Sequence, residues 1–229
     1  MKGHTRDLLV SCENVARTFG SGEHAVVAVH GATCKVFAGD RIALMGPSGS
    51  GKTTLLHLIS GLDEPTVGTI TWPALGERSM LRPGRLGVVF QSPSLMAPLD
   101  VLENVALPLL MVGMDRTTAA IAAQAALQRL GLSDLAAKWP EELSGGQAQR
   151  VAVARVLAGQ PRLILADEPT GQLDHVTGGQ VIDMLIQAAD ELGAALIINT
   201  HDPVVADRLP QQWSMADGRL TIRQAVATC

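Results

Sequence analysis

The sequence predicts an α/β protein built on a mostly parallel sheet, with antiparallel strands at its N-terminal end and a helical segment inserted in its middle. Three observations carry this reading. Short apolar runs alternate with longer helical stretches, the pattern of parallel strands joined through crossover helices. Two longer runs of β character, Leu8–Val15 and Val26–Phe37, come before the first of them. Between Gln91 and about Leu157 the alternation lapses and only helical periodicity is found.

In chain order, Leu8–Val15 and Val26–Phe37 read as antiparallel strands and Arg41–Met45 as the first buried parallel strand. A helix is expected to begin near Lys52, and Leu86–Phe90 returns to the sheet. In the inserted segment, 101–112 and 115–130 are expected to be helical. Asp115 stands as N-cap of the second, whose Ala119, Ala123, Leu127 and Leu130 share one face, and Gly131 stops it. A long helix follows Gly145, through Ala148 to Leu157. Leu163–Ala166 and Ala195–Asn199 complete the buried strands, and 213–223 reads as a hairpin turning at Asp217-Gly218.

With 229 residues, 47% hydrophobic and 17% charged, the chain has apolar surface enough to offset the entropy of ordering, which excludes disorder as its main state. Its 18 basic side chains against 22 acidic ones leave a net charge of −4. That balance supplies no basic stripe, so no nucleic-acid partner is expected. Three cysteines, Cys12, Cys34 and Cys229, lack C-x-x-C spacing and signal neither a disulfide framework nor a zinc site, in keeping with a reducing cytoplasm. The first residues lack the apolar region of a secretory signal. The longest apolar stretches, such as 105–113 and 194–198, fall short of the roughly 20 residues of a transmembrane helix. Work at a membrane would therefore go through a partner.

Arg41–Met45 runs into Gly46-Pro47-Ser48-Gly49-Ser50-Gly51-Lys52-Thr53, which fits the phosphate loop G-x-x-x-x-G-K-[ST]. Glycines let the backbone wrap closely and aim its N–H groups at phosphates, and the following helix adds its positive end. Lys52 would reach the β- and γ-phosphates, Thr53 would ligate Mg2+, and Thr54 follows in the same turn. A glycine-rich turn that binds nothing is the bland alternative, and the placement between strand and helix weighs against it.

The apolar run Leu163–Ala166 ends in Asp167-Glu168, carboxylates at the strand end where open α/β sheets hold ligands. Asp167 would hold Mg2+ through water, and Glu168 could polarise the attacking water as general base. Alone, such a pair is more often a helix cap; beside a phosphate loop, catalysis is favoured. Leu143-Ser144-Gly145-Gly146-Gln147 opens a further helix and reads as a second anion-binding nest. One ATP has no need of both nests unless the second acts on a nucleotide held by another subunit.

These residues resemble those of the ATP-binding subunits of ABC transporters. Leu143–Gln147 matches that family's signature letter for letter, and the order of motifs agrees over essentially the whole chain: the phosphate loop, Gln91, the signature, 163–167 with Glu168, the loop Gly171-Gln172-Leu173-Asp174, and His201. The resemblance implies one ABC ATPase domain over 1–229. Within it, an antiparallel β subdomain would occupy 1–40, a core 41–91 and 158–229, and a helical subdomain 92–157. It also implies a head-to-tail homodimer, with ATP and Mg2+ between the phosphate loop of one copy and Ser144, Gly145, Gly146 and Gln147 of the other. Gln91 would touch Mg2+ and the attacking water, His201 the γ-phosphate, and Asp174 would order the dimer interface. Phe19 occupies the position of an adenine-stacking aromatic, although a core or edge role is open to it. The other histidines, His4, His24, His30, His57 and His175, are read as structural or solvent-facing.

Within the family the chain is most similar to the lipoprotein-release and macrolide-export class, through 88–92, 102–109, 166–171 and 200–203. It departs in a short 71–85 segment and in Gln172 where that subgroup carries asparagine. The class implies integral membrane permease subunits as partners, peripheral attachment at the cytoplasmic face through them, and export or extraction of a lipophilic or peptide-like substrate. The stretch 91–112, with Asp100 and Glu103, is expected to form the docking face. A soluble ABC ATPase acting on ribosomes or DNA is the alternative; such relatives carry paired domains or long coiled coils, neither of which is present. Substitution Lys52→Ala should abolish nucleotide binding or turnover, and unchanged ATPase activity would refute the phosphate-loop assignment.

Overall fold

The computed structural model describes residues 6–223. His4 and Cys229, read above as a bland histidine and a lone thiol, lie outside them. Two sheets form. β1 (Leu8–Phe19), β2 (Val26–Phe37) and β4 (Val67–Thr71) make an antiparallel sheet in the order β2-β1-β4. β3 (Arg41–Met45), β5 (Leu86–Val89), β6 (Leu163–Asp167), β7 (Ala195–Asn199), β8 (Gln211–Ala216) and β9 (Arg219–Arg223) make a second, in the order β5-β6-β7-β3-β8-β9. Every neighbour in the second sheet is parallel except the closing β8–β9 hairpin.

Helices cover this sheet on both faces, which is why β6 and β7 are apolar and buried from end to end. Successive side chains on a strand point to opposite faces. Leu163, Leu165 and Ile197 accordingly pack with the first sheet and with α1 (Lys52–Ile59), while Ile164, Ala166, Leu196 and Ile198 pack with α5 (His175–Leu192). Between β5 and β6 lie α2 (Val101–Met111), α3 (Arg116–Arg129) and α4 (Gly145–Leu157), with an apolar core of their own. α4 serves two cores. Val151 and Ala154 face α2 and α3, while Val153 and Leu157 face the sheet.

Local chemistry explains the elements. Asp115 caps α3 by accepting from Thr118 N at 3.0 Å, and Gly131 takes the left-handed backbone (φ +64°) that follows the helix. Ala119, Ala123 and Leu127 are buried as expected, whereas Leu130 falls just past the helix and is half-buried. β1 runs to Phe19 rather than stopping at Val15, because Arg17 and Thr18 still pair with Val29 and Val27 of β2. α5, which the sequence reading did not single out, buries Val181, Ile182, Leu185, Ala188 and Ala189 against the sheet. Its first turn, His-Val-Thr-Gly-Gly, has weak helix propensity, and the capping Asp174 supplies the start. Cys12 and Cys34 face each other directly across β1 and β2, both buried, and the hydrogen bond of the Cys12 thiol to Cys34, with burial, pushes that thiol well up.

Two residues expected on the docking face also have a structural role. Asp100 and Glu103 form a reciprocal capping box on α2: Glu103 N donates to Asp100 Oδ1 at 2.8 Å and Asp100 N to Glu103 Oε2 at 3.0 Å. Reversing either charge would strip the cap at about 1 kcal/mol, so neither is a surface charge that can be changed without touching the fold. Four apolar side chains are exposed on and near this helix as well: Met96, Leu110, Met111 and Val112.

α4 approaches β5 closely because Gly87 has no side chain; a Cβ there would lie 2.2 Å from Val156 Cγ1. Gly87→Ala should therefore overpack this contact and cost about 1–3 kcal/mol in urea denaturation. The double variant Gly87→Ala/Val156→Ala should recover part of that loss.

Candidate functional site

The loop 46–51 turns from β3 into α1, and its geometry depends on glycine at two points. A Cβ on Gly46 (φ +149°) would meet Met215 O at 2.1 Å, and one on Gly51 (φ +97°) would meet Ala28 O at 2.1 Å. With backbone that close on both sides, the loop has one path. Gly51 in the N-cap position offers α1 no side-chain cap, so the first N–H groups of the helix are left for an anion. Lys52 is buried, its ammonium donating to Gly46 O at 2.8 Å and Pro47 O at 2.9 Å, which places the charge at the loop's mouth. The buried Ser50 Oγ has no hydrogen-bond partner.

Ser48, Gly49, Gly51, Lys52, Thr53 and Thr54 line one concavity together with Gln91, Asp167 and Glu168. Thr53 Oγ1 donates to Asp167 Oδ1 at 3.1 Å, joining α1 to the end of β6. Glu168 follows with a left-handed backbone (φ +44°), costly for a non-glycine residue, held by its N–H to Asn199 O at 3.0 Å. Gln91 Nε2 and Glu168 Oε2 converge on Gly171, where a Cβ would lie 2.9 Å from the first and 3.5 Å from the second. His201 Nδ1 stands 3.6 Å from Glu168 Oε2.

Ser144, Gly145, Gly146, Gln147 and Asp174 line a different concavity on the same chain. Ser144 Oγ accepts from Gln147 N at 3.3 Å, and Gln147 Oε1 turns back to accept from Ser144 N at 3.0 Å, so both side chains cap α4. Gly146 packs on Thr177, whose Cγ2 a Cβ would meet at 2.3 Å. Asp174 caps α5 by accepting from Thr177 N and Val176 N at 3.0 Å each; these bonds, that from Thr177 first, hold its carboxyl below the usual range. Phe19 joins neither concavity. Its ring is 43% exposed at the end of β1, which excludes a core role, and the Arg17 guanidinium lies over it at 4.7 Å.

Three polar residues escaped the sequence reading. Gln149 on α4 donates to Phe90 O at 3.0 Å, next to Gln91. Arg155, whose basicity burial lowers, donates to Pro93 O and Ser94 O at 2.8 and 2.9 Å. Asn199, fully buried at the end of β7, donates to Asp167 Oδ1. For Asn199 the signal was a lone amide ending an otherwise apolar strand; Gln149 and Arg155 stand among other polar residues of α4 and gave none.

A single chain that holds a phosphate loop and, on a separate helical segment, a second glycine-rich helix start is a P-loop ATPase of the cassette type. A family model described as ABC transporter matches residues 29–171. Over 225 residues the chain is 40% identical to the lipoprotein-releasing system ATP-binding protein LolD of Legionella pneumophila, which spans 95% of this chain and 99% of that protein. It is 39% identical to an uncharacterized ABC transporter ATP-binding protein of Mycobacterium tuberculosis, over 94% and 90% of the two chains. The ATP-binding cassette MJ0796, solved as a dimer in a post-hydrolysis state bound to ADP and Pi, superposes with a TM-score of 0.84 at 34% identity, over 95% of this chain and 99% of that one. The chain belongs to the ABC transporter family, as an ATP-hydrolysing ATP-binding subunit of the LolD-like class.

Gly49 (φ +78°) meets nothing within 4 Å of its Cβ position, unlike Gly51. Gly49→Ala should therefore show only backbone strain, about 1–2 kcal/mol, and keep measurable ATP binding. Gly51→Ala should lose ATP binding in a fluorescent-nucleotide titration, because the loop cannot move off Ala28 O.

Proposed function

We propose that two copies of this chain close head to tail around two ATP, each phosphate loop facing the partner copy's Ser144–Gly146, and that the closure drives a separate membrane permease in export or extraction of a lipophilic or peptide-like substrate. The observation that carries this is the separation of the two anion-binding helix starts into two concavities on one chain. Each is half of a site. The dimeric form of MJ0796 supports the pairing, and the lipoprotein-releasing relatives support the substrate class.

In this reading the loop N–H groups and Lys52 bind the β- and γ-phosphates, and Thr53 with Asp167 holds Mg2+. The adjoining hydroxyl and carboxylate, and the unpartnered Ser50 Oγ, suit that load. Mg2+ supplies charge neutralisation on the phosphates. Glu168 takes a proton from water as the water oxygen attacks the γ-phosphorus, the bond to the β-bridging oxygen breaks, and ADP leaves. Gln91 orients the water, His201 steadies Glu168 and the γ-phosphate, and Asp174 orders the interface. Phe19, exposed with one face over Arg17, offers its ring to adenine.

No helix among the described residues is long and apolar enough to cross a membrane. Attachment to the cytoplasmic face comes through permease subunits, docked on the segment that follows Gln91, where Met96, Leu110, Met111 and Val112 are exposed. Glu168→Gln should trap an ATP-bound dimer, since interface contacts survive while proton abstraction is lost. Analytical ultracentrifugation that finds only monomer with Mg-ATP would count against the pairing.

A further inference from the structure

Asp167 is fixed from a direction that its own strand does not supply. Asn199 pairs with it in register across β6 and β7, is fully buried, and donates through Nδ2 to Asp167 Oδ1. The same oxygen accepts from Thr53 Oγ1. Among the described residues, every hydrogen bond to the Asp167 carboxylate falls on Oδ1, so Oδ2 is the oxygen left for a hydrated cation. The Asn199 main chain adds a second hold, since its carbonyl accepts from Glu168 N, where the backbone is left-handed. Asn199 Oδ1 is buried without a hydrogen-bond partner. An amide turned the other way would set this oxygen against the carboxylate, so Asp167 itself selects the observed orientation. A buried polar side chain with one group unsatisfied costs stability, and this one ends the otherwise apolar run Ala195–Ile198.

We propose that Asn199 is a positioning residue of the ATP site: by holding Oδ1 of Asp167 and the N–H of Glu168 from the neighbouring strand, it sets the carboxylate at the angle at which Oδ2 receives the hydrated Mg2+. This rests on the reading of Thr53 and Asp167 as the cation's holders. It gives β7, which also leads to His201, a direct hold on the Asp167 carboxylate. Asn199 acts through Asp167 and touches no reacting atom.

The test uses the full chain in the Glu168→Gln background, where ATP is not consumed. ATP affinity is measured by calorimetry at zero and at increasing Mg2+ for Asn199→Leu, which removes the donor at similar volume, and for Asn199→Ser, which leaves a small polar group if leucine does not fold. Asp167→Ala serves as reference. Partners that orient a metal ligand are typically worth about 10–100-fold in metal affinity. The expected result is a Mg2+ half-saturation raised about 10-fold or more, with metal-free ATP affinity within about twofold of the parent. A folded Asn199 variant with unchanged Mg2+ half-saturation, while Asp167→Ala raises it, would overturn the positioning role alone. An unchanged value in Asp167→Ala would overturn the cation reading and this role with it. Metal-free and Mg2+-dependent affinities falling together would assign Asn199 to the fold only.

Discussion

The phosphate loop has almost no freedom because it is wedged between two carbonyls, Ala28 O on β2 and Met215 O on β8. These belong to different sheets. The β8–β9 turn ties them together, with Gly218 N donating to Ser50 O at 3.1 Å and His30 N to Gly218 O at 2.8 Å. The antiparallel sheet, the last hairpin and the loop are thus one braced unit, and residues more than 150 positions apart in sequence hold the loop's shape. A loop so confined presents its N–H groups already arranged, with little ordering left to do on binding, which is how a short glycine-rich segment binds a highly solvated anion well.

The parallel strands end along one edge, and that edge supplies the rest of the site. β3 delivers the loop, β6 delivers Asp167 and Glu168, and β7 delivers Asn199 and, two residues on, His201. Parallel pairing in register brings Asp167 level with Asn199. The helical segment is joined to the same edge through α4, whose Gln149 and Arg155 hold the carbonyls of Phe90, Pro93 and Ser94 on either side of Gln91. α4 and the segment around Gln91 are therefore joined on both sides of that glutamine. The helix that carries Ser144 at its start is mechanically bound to the glutamine that faces Glu168.

Much of this was legible in the residues. Strands such as Val26–Phe37, Arg41–Met45 and Ala195–Asn199 are bounded by punctuation that fixes their ends, and the structure keeps those ends. The helix at Arg116 follows from its Asp cap and its glycine stop. What spacing left open was polar chemistry with two uses. Asp100 and Glu103, expected on the docking face, also cap a helix. Gln147, expected beside a nucleotide, also closes a capping box. A short-range hydrogen bond and a long-range one use the same side chains, and one-dimensional spacing does not separate them.

By itself, then, the sequence determined the chemistry: a loop that only closely spaced glycines can make, a lysine and hydroxyl at a helix start, and two carboxylates at a strand end, in an order that names the family. These are local patterns, set by backbone conformation over a few residues. The tertiary structure alone decided which groups meet. It placed Ser144 and Lys52 on separate concavities, left Phe19 on the surface, set Cys12 opposite Cys34, and brought Asn199 to Asp167 from 32 positions away. Such meetings follow from sheet order and register, and those arise from burying many apolar side chains at once rather than from any short stretch of sequence.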